Sequence, residues 1–357
     1  PGQPPSIVSS VASTIDTFKP DTRFGKIGGY FALIGGALLQ FTLGSLFCFG
    51  NLSPYIASYF AHNDYMDIPR SKRDTFDIES TYNNYISQTN WVLFAMITIE
   101  TGFIVFGGNI EIKIGPGKTL IMSSILVTLG FGLTYFSLIY NSFALLVITY
   151  GLIFGIGVGI GYPVLAIVCM KWFPKRKGFV CGFNSAVFGA GAFVFDSIQT
   201  KLVNPYNLDM DPSYGYVLQQ DVIDRIPFMF AYVAAIMFTL QFISIVCIRN
   251  PPWFISTSEM TGDPHGGGDT NVSKSQLKYE AYSLTLKQTL GFWVFWELWI
   301  NNFLYCVVLM FVTMEWKVFA MDYMNIKDDQ LLGIIGSISS LFNGGGRLLW
   351  GIIYDST

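Results

Sequence analysis

Charge is scarce in this sequence. Lys, Arg, Asp and Glu make up 13% of its 357 residues, about half the share of an ordinary soluble domain. Hydrophobic residues supply 52%, so the chain is built for lipid rather than for water. The net charge of -3 excludes a nucleic-acid binder, which needs a basic face. Histidine occurs only as His62 and His265, both expected in loops, and neither has partners at metal-ligand spacing. The five cysteines (Cys48, Cys169, Cys181, Cys247, Cys306) fall in apolar segments with no CxxC pair, and such cysteines behave as small hydrophobes. The first residues lack a short apolar core with a small-residue cleavage site, so no signal peptide is expected. No Ser/His/Asp set, metal cluster or cofactor loop lies at a common depth. An enzyme, a metal and a cofactor are therefore not expected.

The chain does have long apolar runs, organised around Gly155 to Phe195. Two runs of membrane length flank a basic turn, Lys171-Trp172-Phe173-Pro174-Lys175-Arg176-Lys177-Gly178. Glycines at 155, 157, 159 and 161, then at 182, 189 and 191, let helix backbones approach closely in lipid. Four cations without an acid place the turn on the cytoplasmic side. A spanning helix needs roughly 20 apolar residues. Eight segments qualify, at about 29–52 (with a run-on to Phe60 as the alternative), 88–108, 118–139, 142–170, 177–199, 227–248, 289–313 and 330–353. Lys and Arg number 13 on the segments read as inside (tail, 109–117, 171–176, 249–288, with flanks) and 7 on those read as outside (61–87, 200–226, 314–329). The expectation is an integral, multi-pass, all-α protein with its N-terminus inside.

The expected domains are a cytoplasmic tail at 1–27, a six-helix bundle at 28–248, a cytoplasmic linker at 249–288 and two further helices at 289–357. Pro251-Pro252 and the Gly-rich run around Gly266-Gly267-Gly268 give the linker a flexible composition. Six helices followed by a long inside loop fit a transporter built from two six-helix halves. Four helices are then expected beyond Thr357; a genuine eight-helix protein is the alternative.

The helix 4–5 stretch Lys171 to Gly178, with Gly182, Gly189 and Gly191, resembles the signature of the oxalate/formate antiporter family and of the related monocarboxylate transporters. Both belong to the major facilitator superfamily. Gly107-Gly108 with Ile114-Gly115-Pro116-Gly117-Lys118 is similar to the family's helix 2–3 loop, and Thr289, Phe292 and Trp293 to its helix 7 start. Asn343-Gly344-Gly345-Gly346-Arg347 with Gly351 and Asp355 is similar to its helix 8 and the loop beyond. The resemblance implies a major facilitator fold, with helices 1 to 8 of it in this chain. It also implies a secondary transporter of small organic anions, mono- or dicarboxylates such as formate, oxalate, lactate or pyruvate. Gly108, Lys113, Gly115, Lys118, Gly351 and Asp355 would serve the conformational change. The usual Asp of the helix 2–3 loop reads Ile112, and the usual intrahelical Asp of monocarboxylate transporters reads Asn343. The second departure favours exchange or facilitated movement over proton symport.

Arg347 is the one cation expected inside a helix. Its planar fork can hold a carboxylate by two hydrogen bonds, or its long stem can snorkel to the inner surface; the family places a carboxylate-binding Arg here. Gly333, Gly336, Ser340, Asn343 and Arg347 share one helix face. Helix 7 offers Asn301 and Tyr305, with Glu297 on the same face. Helix 1 offers Gln40 and Asn51, and helix 4 offers Tyr162 beside Pro163. Each could line a cavity or merely tie helices together. Glu100 is the candidate proton-coupling group, and Asp196 is expected at the outer surface. The partners expected are a small organic anion and the lipid bilayer. The rival expectation is a non-transporting structural or sensing subunit that keeps the fold within a larger membrane complex.

Overall fold

The computed structural model describes residues 23–211, 213–249, 251, 286–326 and 328–356. Eight long helical units follow one another: α1 (Lys26–Asp67), α2 (Ile78–Ile114), α3 (Pro116–Ile139), α4 (Phe143–Trp172), α5 (Lys177–Val203), α6 (Arg225–Cys247), α7 (Trp293–Asp322) and α8 (Asp329–Ser356). The first six are long and apolar enough to cross a membrane. Among the described residues the only extended pairing is an isolated bridge between Asp211 and Gly215. Most of the expected tail and linker, including His265, lies outside the described residues.

Every expected helix is present, and several run past their apolar segment. α1 passes through a tight turn at Gly44–Cys48 and past Pro54 to reach Asp67. The extra turns hold because their polar groups find partners. Tyr85 of α2 stacks on Phe60 at 5.4 Å and donates to Asp64 Oδ2 at 2.8 Å. His62, expected in a loop, is buried in α1 with Nδ1 at 2.6 Å from the Val217 carbonyl. Asp77 caps α2 by accepting from the Ser80 N–H at 3.0 Å. Residues 213–219 fold onto these turns, with Tyr216 stacked on Tyr55 and its N–H donating to Ser58 Oγ. This end of the bundle is called the crown, and the end carrying Lys171 to Lys177 the basic end.

The odd-numbered glycines of α4 have separate duties. A Cβ at Gly155 would meet the Met96 carbonyl of α2 at 2.8 Å, and one at Gly159 would strike that of Glu100. A Cβ at Gly157 would meet the Val127 nitrogen of α3 at 2.7 Å, and one at Gly161 would strike Ser123 Oγ. Two pairs spaced by four residues thus open two faces of one helix, each to a different neighbour. Gly44 of α1 and Gly191 of α5 likewise face each other's backbones at Phe188 and Phe41. Along the α5–α8 seam, Gly182 faces the Arg347 carbonyl, Gly344 faces that of Ala186, and Gly351 faces that of Gly178.

Candidate functional site

α7 does not stop near residue 313. It continues to Asp322, which carries Lys317 into the helix. Arg347 is therefore not the only intrahelical cation, and the segment counted as an outside loop is largely helical. Lys317 is fully buried where α7 meets α1. Its ammonium donates to Asn51 Oδ1 at 2.9 Å and lies 4.6 Å from the centre of the Tyr55 ring. Asn51 Nδ2 in turn donates to Thr200 Oγ1 of α5 at 3.2 Å. Three helices are thus joined by one amide, and an aromatic face supplies further attraction to the cation.

One turn inward from Thr200 lies Asp196. It was expected at the surface but is 4% exposed, because α5 runs on past it to Val203 and turns it toward the tight turn of α1 at Cys48. Asp196 sits beside the Cys48 thiol, and the Lys317 charge reaches it. Its Oδ1, both polar atoms of Gln199 and the Tyr150 hydroxyl are buried without a hydrogen-bond partner among the described residues.

Arg347 stands apart from this cluster. It lies about 27 Å along α8 from that helix's crown end, whereas Lys317 lies about 7 Å from the crown end of α7. The two cations do not form one site. Arg347 is half-buried and donates from Nε to Asn343 Oδ1 at 2.8 Å. That bond orients the guanidinium and leaves the terminal nitrogens of its fork available; among the described residues no carboxylate pairs with it.

The remaining candidates scatter. Asn301 and Tyr305, with Glu297, are exposed on α7. Gln40 is 1% exposed with Oε1 unpartnered among the described residues. Tyr162 packs edge-on against Phe188 at 5.2 Å. Glu100 is half-buried on α2, its carbonyl against Gly159. At the basic end, Lys113 and Lys118 are exposed, Gly115 turns the chain at φ 83°, and Gly108 has open space around it. Glu111 pairs with Lys171 at 2.9 Å. Asp355 accepts from the Gly178 and Phe179 N–H groups at 2.8 and 2.6 Å, tying α8 to the start of α5 beside Gly351.

A helical bundle of this length and apolarity, with glycine seams and polar contacts between its first six helices and α7 and α8, defines an integral, multi-pass membrane protein. Residues 33–357 match the model of the Major Facilitator Superfamily, and the chain belongs to that superfamily, whose members are transporters. The chain is 25% identical to apicoplast pyruvate carrier 1 of Toxoplasma gondii, over 99% of the chain and 72% of the carrier. It is 23% identical to the oxalate:formate antiporter of Oxalobacter formigenes, over 72% of the chain and 52% of the antiporter. It is 27% identical to monocarboxylate transporter 9 of Gallus gallus, over 32% of the chain and 17% of that protein.

Proposed function

We propose that the chain belongs to a secondary transporter that moves small organic anions, mono- or dicarboxylates, across a membrane by alternating access. The observation that carries this reading is Arg347, a half-buried guanidinium on α8 whose Nε is held by Asn343 while its fork has no protein carboxylate among the described residues. A guanidinium inside a membrane protein is retained against a desolvation penalty, and a planar fork suits a carboxylate. The relatives, a pyruvate carrier, a monocarboxylate transporter and an oxalate:formate antiporter, are named for substrates of this class.

Reconstituted full-length protein should take up labelled pyruvate, lactate, formate or oxalate and ignore a neutral sugar. Arg347→Lys should weaken substrate affinity by roughly thirtyfold, on the order of 2 kcal/mol, because an ammonium cannot reproduce the two-bond fork. Near-normal affinity in folded, membrane-inserted Arg347→Lys would overturn this role.

A further inference from the structure

Two contacts fasten α7 and α8 to the crown of the six-helix bundle. One is the Lys317 ammonium, held by Asn51 Oδ1 and the Tyr55 ring. The other is Asn207, in the segment after α5, with its backbone in the left-handed region at φ 50°. Its Nδ2 donates to Asp328 Oδ1 at 3.0 Å, and its Oδ1 accepts from the Gln330 N–H at 3.0 Å. Asp328 itself accepts from the Leu331 N–H at 3.1 Å. The first turn of α8 is thus capped by its own aspartate and by an asparagine from the bundle.

The two contacts are joined by a continuous path. Asn204 accepts from the Leu208 N–H at 2.8 Å and donates to the Leu208 carbonyl at 2.9 Å, so its side chain closes the turn that carries Asn207. The same amide donates to the Tyr216 hydroxyl at 3.3 Å. Tyr216 stacks on Tyr55 at 5.3 Å, and Tyr55 is the ring beside Lys317. A second route runs from Asn51 through Thr200, whose carbonyl accepts from the Asn204 N–H at 2.8 Å. Tyr55, Tyr216, Asn204, Asn51 and Lys317 are all at most 1% exposed, so water does not compete for these bonds while the crown is closed.

We propose that this network is a clasp that holds the crown closed, and that its two prongs, Lys317 and Asn207, release together. The inference rests on the rocking of two halves proposed above, but not on the identity of the substrate. When α7 leaves α1, Lys317 quits both Asn51 and Tyr55. The path passes that loss through Tyr216 and Asn204 to the turn that aims Asn207 at α8. Polar prongs suit a gate, because their groups bond to water once the crown opens and the net cost of parting them is modest. The seam at the basic end is fastened separately, by Asp355 on the Gly178 and Phe179 N–H groups, so it stays shut when the clasp breaks.

The test reads conformation rather than transport. Spin labels at Met66→Cys and Tyr323→Cys, both exposed at the crown, report the separation of α1 and α7 in the full-length protein. A second pair at Lys175→Cys and Tyr354→Cys, also exposed, reports the basic end. The reachable cysteines Cys181, Cys247 and Cys306 are replaced first. Asn51→Ala leaves the ammonium short of an acceptor in the closed crown, so the open-to-closed ratio should rise about tenfold. Asn207→Ala removes the more exposed prong and should raise the ratio several-fold. Because each loss loosens the other prong, the double variant should fall short of the product of the two rises by at least about twofold. The basic-end distance should hold throughout, which separates a released clasp from a lost fold. Tyr216→Phe, which removes only a hydroxyl on the path, should also raise the ratio and stands in for Asn51→Ala if that variant does not fold. Two crown separations whose ratio ignores these substitutions would overturn the clasp and leave the rocking of the halves standing. A full product in the double variant would overturn the joint release. A single short separation in every variant would overturn the clasp and the rocking together.

Discussion

Lys317 and Arg347 are both helical cations, yet their surroundings differ in kind. Lys317 is bound on the protein's own groups, and Asn51 is the hinge of that arrangement because it accepts from Lys317 and donates to Thr200. Asn51→Ala should therefore destabilise the protein by about 1.5–3 kcal/mol, the range for a hydrogen bond to a charged group. The measurement is the thermal midpoint of the purified protein in detergent. An unchanged midpoint would show that the ammonium has another acceptor of equal strength. Arg347 was legible in the sequence because it interrupts an apolar run. Lys317 was not, because hydropathy falls before it and the helix continues on packing alone. The available signal was spacing: Trp316, Lys317, Ala320 and Met321 recur at three and four residues, and all are at least partly buried. Asp196 was misread for a related reason. Its position near the end of an apolar segment said nothing of the helix face it occupies, which turns it toward Cys48 of α1.

The helices themselves show where sequence reading works and where it stops. Apolar length identified all eight, and a left-handed Asn141 at φ 47° closes the short turn between α3 and α4. The ends of α1 and α2 escaped because their polar residues bond to one another, and hydropathy treats every polar residue as solvated. The role of the α4 glycines could be stated only as close approach, since sequence does not say which neighbour each one meets. That assignment gives a paired prediction. At Gly157 a methyl would press on the α3 backbone, so Gly157→Ala should destabilise by about 1–3 kcal/mol, the usual penalty for overpacking. At Gly102 on α2 a methyl finds open space. There Gly102→Ala should be neutral or stabilise by up to about 1 kcal/mol, since alanine prefers the helix. Thermal midpoints of the two variants, side by side, decide the matter. Equal loss in both would mean that the glycines matter for flexibility and not for contact.

The whole molecule has two ends of different chemistry, and their difference predicts how it sits in the membrane. Lys113, Lys118, Lys171, Lys175, Arg176 and Lys177 gather at the basic end, with Asp355 fastened there to the start of α5. At the crown, Arg73 is used to brace its own loop, with Nη2 donating to the Met66 carbonyl at 3.0 Å, and Arg225 lies over the Tyr206 ring. Lys317, formerly counted with the outside loops, is withdrawn into the bundle, which widens the asymmetry. Translocation holds back short loops rich in Lys and Arg, and acids weigh little. The basic end should therefore face the cytoplasmic side, and the crown the other. Lys175→Cys and Tyr140→Cys place reactive thiols on opposite ends, at positions exposed in the structure. In sealed vesicles or cells, a membrane-impermeant maleimide added outside should label Tyr140→Cys and spare Lys175→Cys until the membrane is opened. The opposite order would invert the orientation.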